Sequence, residues 1–132
     1  MEDGFILEGD TLISKFMDID DGTPISKILA GRYHVYIVNN KCHYRTGGLH
    51  GEIYPTQYSY SYDWIMRVVA KIEAMGYDFV SSNNYVCVRP PCGTGRLVFR
   101  YQYTSEIKNS RKELLYKAVV EFVKWHDENC NF

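Results

Sequence analysis

The residues best suited to chemistry in this chain are a group of arginines and a run of aromatic rings. Arg89, Arg96 and Arg100 lie close together in sequence, and a guanidinium fork matches the geometry of phosphate and carboxylate. The rings fall in Tyr54-Pro-Thr-Gln-Tyr58-Ser-Tyr60-Ser-Tyr62-Asp-Trp64, within a chain that has 12 tyrosines against 6 phenylalanines. Tyrosine and tryptophan combine stiff apolar area with a polar tip, which suits contact surfaces. Tyr62 and Trp64 can anchor this segment on the core, leaving Tyr58 and Tyr60 free for a partner. The candidate binding side chains are therefore Tyr58, Tyr60, Trp64, Arg89, Arg96 and Arg100. Together they could hold a partner protein. Alternatively, the arginines could take phosphate charge while a tyrosine stacks on a base, which would make the ligand nucleotide-like. The plainer reading of Tyr85, Tyr101 and Tyr103 is cross-strand packing.

Catalytic and metal motifs find little purchase. Gly47-Gly48-x-x-Gly51 lacks the lysine and helix of a phosphate loop, and Gly93-Thr94-Gly95 sits between strand patterns. His34 and His43 flank a short turn, but Cys42 beside them points to the opposite face, so a third ligand is missing. Asp18, Asp20 and Asp21 resemble the start of a calcium loop whose twelfth position is Leu29. Cys42, Cys87, Cys92 and Cys130 are dispersed, without the paired close spacing of a zinc site. His50, Glu52 and Cys92 could be assembled into a catalytic set only by geometry that spacing does not supply. No catalytic residue, metal or cofactor is expected, and a small enzyme with a non-standard site is the third alternative.

Size and composition describe one domain spanning residues 1–132, with 45% hydrophobic and 23% charged residues. No apolar run is long enough for a membrane span. The acidic N-terminus differs from a secretion signal, so a cytoplasmic location is expected. A net charge of −1 argues against a dedicated polyanion binder. The charge is uneven, however: residues 1–21 carry seven acids and one lysine, whereas Arg89 to Lys112 is basic apart from Glu106. Such a patch can focus potential on an acidic group.

The elements that must position these residues are legible from periodicity. A short apolar stripe predicts a helix over Thr11–Met17, with Asp10 or Thr11 as its cap. Tyr33–Val38 and Lys41–Arg45 predict a hairpin through Asn39-Asn40. Ile65, Val68, Val69, Ile72 and Met75 mark a second helix, closed by Gly76. Strands are expected at Tyr77–Val80, Tyr85–Arg89 and Arg96–Tyr103, the last with Arg96, Val98, Arg100 and Gln102 on the face away from Leu97, Phe99, Tyr101 and Tyr103. Ser110-Arg-Lys-Glu113 reads as a capping box before a third helix containing Leu114, Leu115, Ala118, Val119, Phe122 and Val123. The result is an α+β fold: a small antiparallel sheet packed against two or three helices.

Two helical segments, Ser61–Glu73 and Ala118–His126, resemble a family of small uncharacterised proteins of bacteriophages and mobile elements in Bacteroides-type gut bacteria. The family's N-terminal helix is similar to Leu12–Met17. Its pattern has Trp where this chain has Tyr62 and Pro where it has Arg67, and the central basic hairpin has no counterpart. The resemblance covers about a third of the chain and brings no activity with it, but it implies a phage-like origin. The expectation is a non-enzymatic binding protein, itself a homo-oligomer, that captures a host protein through its tyrosine-rich surface.

Overall fold

The computed structural model describes residues 3–17, 35–39, 41–45, 53–91, 99–108 and 110–130. Their elements run α1 (Asp3–Met17), β1 (Val35–Val38), β2 (Lys41–Arg45), β3 (Ile53–Pro55), α2 (Tyr62–Ala74), β4 (Asp78–Ser82), β5 (Tyr85–Arg89), β6 (Tyr101–Thr104) and α3 (Arg111–Cys130). The fold is α+β, as the periodicities predict. The strands form two antiparallel sheets of three, ordered β1-β2-β3 and β4-β5-β6, rather than one.

In the first sheet, Asn39 adopts φ 52° and closes the β1–β2 hairpin, whose last pair is Val38 with Lys41. Asparagine tolerates that left-handed backbone, so the turn forms where its dipeptide predicts. The third strand is too short to show a period and ends in Pro55, a residue an edge strand tolerates. It pairs with β2, and the Thr56 N–H extends the ladder by donating to the Cys42 carbonyl at 3.1 Å. Cys42 and Thr56 thereby come face to face beneath α1.

The second sheet is a meander. Asn83-Asn84 turns β4 into β5, and Asn84 holds the end of β6 twice: its carbonyl accepts from Ser105 N–H at 2.8 Å, and its side-chain amide donates to the Ser105 carbonyl at 3.1 Å. Val86 and Val88 are buried on the side facing α3.

The last helix is the spine. Leu114, Leu115, Tyr116, Ala118, Val119, Val120, Phe122 and Val123 are all buried, so it is enclosed on more than one side by α1, α2 and the second sheet. Ile65, Val68, Val69 and Ile72 of α2 and Ile13, Phe16 and Met17 of α1 close on it to make one core. Gly76 ends α2 at φ 100°, a backbone conformation that favours glycine, and its N–H donates to the Glu73 carbonyl at 2.9 Å. The C-terminal end of α1 is secured from α2: Lys71 donates to the Phe16 carbonyl at 2.6 Å and lies 4.4 Å from the Phe16 ring centroid.

Three local expectations are corrected. Asp10 does not cap α1; the helix begins at Asp3, and Asp10 is an interior, buried position. The capping box is not formed: Ser110 Oγ donates instead to the Ile107 carbonyl at 2.9 Å, and Glu113 pairs with Lys117 at 3.1 Å. Tyr58, expected at the surface, is 0% exposed and packs edge-on against Trp64 at 4.9 Å. Its ring fills the space above α2, so Tyr58 is a core residue and cannot contact a partner. Among the described residues no helix is long and apolar enough to cross a membrane.

Candidate functional site

The arginines converge as the strand alternation requires. The β5–β6 ladder pairs Cys87 with Gln102 and ends at Val88 with Tyr101, and Arg89 and Arg100 follow immediately beyond that last pair. Both are exposed, on the sheet face turned away from the helices. An open cleft of about 240 Å³ lies between them, lined by Cys87, Val88, Arg89, Pro90, Arg100, Tyr101 and Gln102. Asp78 stands beside Arg89 on β4, giving the row one acid against two bases. The ion pairs formed among the described residues, Lys15–Asp127, Lys117–Glu113 and Lys124–Glu8, involve neither guanidinium. Like charges on one face repel. Arg96 lies outside the described residues.

The tyrosine-rich segment is divided between the core and a second site. With Tyr58 buried and Trp64 half-buried against the core, Tyr60 is the member of the expected trio that stands in water, 54% exposed. It sits in a turn held by Ser61 N–H donating to the Gln57 carbonyl at 2.9 Å. Tyr60 does not border the arginine cleft. It lines a cavity of about 400 Å³ between α1 and the β2–β3 pair, together with Ile6, Leu7, Asp10, Asn39, Lys41, Cys42, Pro55, Thr56 and Ser59.

Asp10 forms the back of that cavity. It is 3% exposed, and each carboxylate oxygen meets a hydroxyl: Tyr116 donates to Oδ1 at 2.6 Å and Thr56 to Oδ2 at 2.5 Å. Burial raises the Asp10 pKa above the usual carboxylate value of 3.8, while the two hydrogen bonds pull it down. The same environment pushes the Tyr116 phenol far up, through burial first and the Asp10 charge second. Each hydroxyl also has a second acceptor: Thr56 Oγ1 is 3.2 Å from the Cys42 carbonyl, and Tyr116 Oη is 3.0 Å from the Ile6 carbonyl. Proton positions can therefore follow the state of the acid. A protonated Asp10 can donate to Thr56 Oγ1, which then donates to Cys42 O. Cys42 is buried, and its thiol pKa is raised by burial and by the Asp10 charge, against the hydroxyls of Thr56, Thr11 and Ser14. That environment favours the thiol over the nucleophilic thiolate.

The arginine pair was visible in the sequence; Asp10 was not. Gly9 blurs the start of the helix, so Asp10 passes for a cap. Its true signal is a polar residue inside an apolar stripe, since Ile6, Asp10, Ile13 and Met17 share one helical face. His43, considered as a ligand, pairs with Tyr36 and contacts the Lys41 carbonyl through Nδ1 at 2.9 Å; His34 lies outside the described residues, as does the aspartate-rich segment 18–29. Among the described residues no group of His, Cys, Asp and Glu is arranged to hold a metal.

No protein-family model, curated protein or solved structure matches the chain. The likeness of its helices to phage proteins finds no counterpart there.

Proposed function

We propose that the protein is a non-catalytic binding protein whose second sheet captures a partner protein by an oxyanion, a carboxylate or phosphate, seated between Arg89 and Arg100. The observation that supports this most directly is the opposition of two unpaired guanidiniums across one cleft. Two like charges lining one cleft repel, and an oxyanion between them reverses the sign of the interaction. The surrounding face suits a partner with a broad surface. Val80 and Tyr85 lie on the same side of the sheet as Arg89 and supply apolar and amphipathic area beside the charges. Equilibrium capture of this kind requires no general acid, base or nucleophile.

A nucleotide ligand has less support. The one ring lining the cleft, Tyr101, pairs with the buried Val88 and so belongs to the sheet face opposite the arginines, where it runs nearly parallel to Phe99 and Tyr103 at centroid distances of 6.1 and 6.5 Å. Titrating the isotope-labelled protein with a glutamate-rich peptide, a phosphopeptide, inorganic phosphate and nucleoside monophosphates separates the readings. The expected result is that peptides bearing oxyanions shift the amides of Cys87–Arg89 and Arg100–Gln102, and that Arg89→Ala or Arg100→Ala abolishes the response. If no anion moves these amides, or the alanine variants respond as the parent does, the reading fails. Tight binding by nucleotides alone would replace it with the nucleotide alternative.

A further inference from the structure

We infer that the cavity behind Tyr60 is a binding site for a small organic cation, an ammonium group on a compact apolar body, with Asp10 as its counter-ion. This site is separate from the arginine cleft and stands or falls independently of it.

The cavity has the size of a small-molecule site, at about 400 Å³. Its chemistry is divided: Ile6, Leu7 and Pro55 offer apolar contact, while Asp10 and Thr56 place polar atoms at one point. The acid at that point has donors around it but no cation. Among the described residues, lysines pair with Glu8, Glu113 and Asp127, and none pairs with Asp10. A carboxylate that is nearly sealed from water and lacks a positive partner is costly when ionised. The two hydroxyls fix its orientation but leave each oxygen with a further lone pair. A bound ammonium would satisfy that acceptor capacity and cancel the charge in one step.

The opening adds a second recognition element. Tyr60 is more than half exposed at the rim, where its π face can stabilise a cation approaching Asp10. Lys41 also lines the cavity, but it is exposed, so water and salt screen its repulsion more than they screen the buried acid. An anionic ligand is disfavoured by Asp10, and a neutral one gains only the apolar contacts.

The test uses three probes of nearly one shape: 2-phenylethylammonium, 2-phenylethanol and phenylacetate. Binding is followed by chemical shifts of Ile6, Leu7 and Thr56 in the full chain. The ammonium probe should shift all three residues, with the alcohol weaker by about tenfold or more and the carboxylate inactive. Asp10→Asn should remove that preference, bringing the ammonium affinity down to that of the alcohol. If Asp10→Asn does not fold, Leu7→Trp fills the cavity without touching the acid and should abolish binding while preserving the thermal transition. Equal binding of alcohol and ammonium, stronger binding of phenylacetate, or no shift with any probe would each overturn the inference.

Discussion

The phenol of Tyr116 reaches the carboxylate of Asp10 at 2.6 Å, joining the middle of α1 to α3 across 106 positions of sequence. Gly9 makes this approach possible. A β-carbon there would press on the Tyr116 hydroxyl and come within 2.8 Å of Val120 Cγ2. A helix interior normally disfavours glycine by about 1 kcal/mol relative to alanine. Here that penalty is offset by packing that no larger residue permits.

Replacing Gly9 with alanine should therefore destabilise the protein despite its better helix propensity. Overpacking of this type costs about 1–3 kcal/mol, read as a lower denaturation midpoint at unchanged slope. Tyr116→Phe should cost about 1–2 kcal/mol by leaving a buried acceptor short of a donor. In a double-mutant cycle with Asp10→Asn, the two changes should couple rather than add. Additive effects would mean that the hydroxyl and the acid do not interact.

Asp10 also predicts an unusual pH dependence. Its folded pKa is raised by burial above the reference value of 3.8, so the native state holds this proton more tightly than the unfolded chain. The stabilisation is complete below 3.8 and is lost as pH rises through the folded value, opposite to an ordinary salt-bridged aspartate. Its surroundings are the Tyr116 and Thr56 hydroxyls, the Cys42 thiol and the more distant, exposed Lys41. The difference in unfolding free energy between the parent and Asp10→Asn should decline as pH rises above 3.8, with a slope of at most about 1.4 kcal/mol per pH unit. A flat difference from pH 3 to 8 would contradict the assignment.

The parts of the fold that are readable in the sequence are those with a clean period or a decisive turn. Ile65, Val68, Val69 and Ile72 name the buried face of α2, although Met75, on the same stripe, lies past the helix end and is exposed; Asn39 names the first hairpin, and the alternation after Phe99 places Arg100 and Gln102 on the outer face. Misread positions are those where a tertiary contact overrides local preference. Gly9 looks like a stop until Tyr116 arrives from the far end of the chain. Tyr58 looks like its neighbour Tyr60 because both lie in one polar, aromatic run; only the position of Trp64 decides which ring turns inward. The candidate site divides in the same way, with the charge pair local to one hairpin and the acid cavity assembled from three distant segments.

Lys71 should act on α1 and on His126 at once. It donates to the Phe16 carbonyl at the end of α1, and its charge, after burial, helps hold His126 below 6.5, while Asp127 pulls the other way. A histidine with a depressed folded pKa contributes stability that is present above 6.5 and lost as pH falls toward the folded value. Lys71→Met should raise the His126 titration midpoint in an NMR experiment and cost about 1 kcal/mol or more in stability from the lost charged hydrogen bond. An unmoved midpoint would show that burial alone sets the shift.

The arginine pair predicts a trade between stability and binding. If Arg89 and Arg100 are opposed to receive an oxyanion, either one is a liability while the cleft is empty. Arg100→Gln should raise the unfolding free energy of the free protein by about 0.2–1 kcal/mol, the range of cross-strand charge pairs, and Arg89→Gln should raise it less, because Arg89 also stands opposite Asp78 on β4. The gain should shrink as salt is increased, because both groups are exposed and screened. Saturating phosphopeptide should reverse the order, stabilising the parent above both variants through binding to the folded state alone. Arginines serving only to hold the sheet together would give the contrary pattern: each substitution would lower stability with or without the peptide, and salt would leave the difference unchanged.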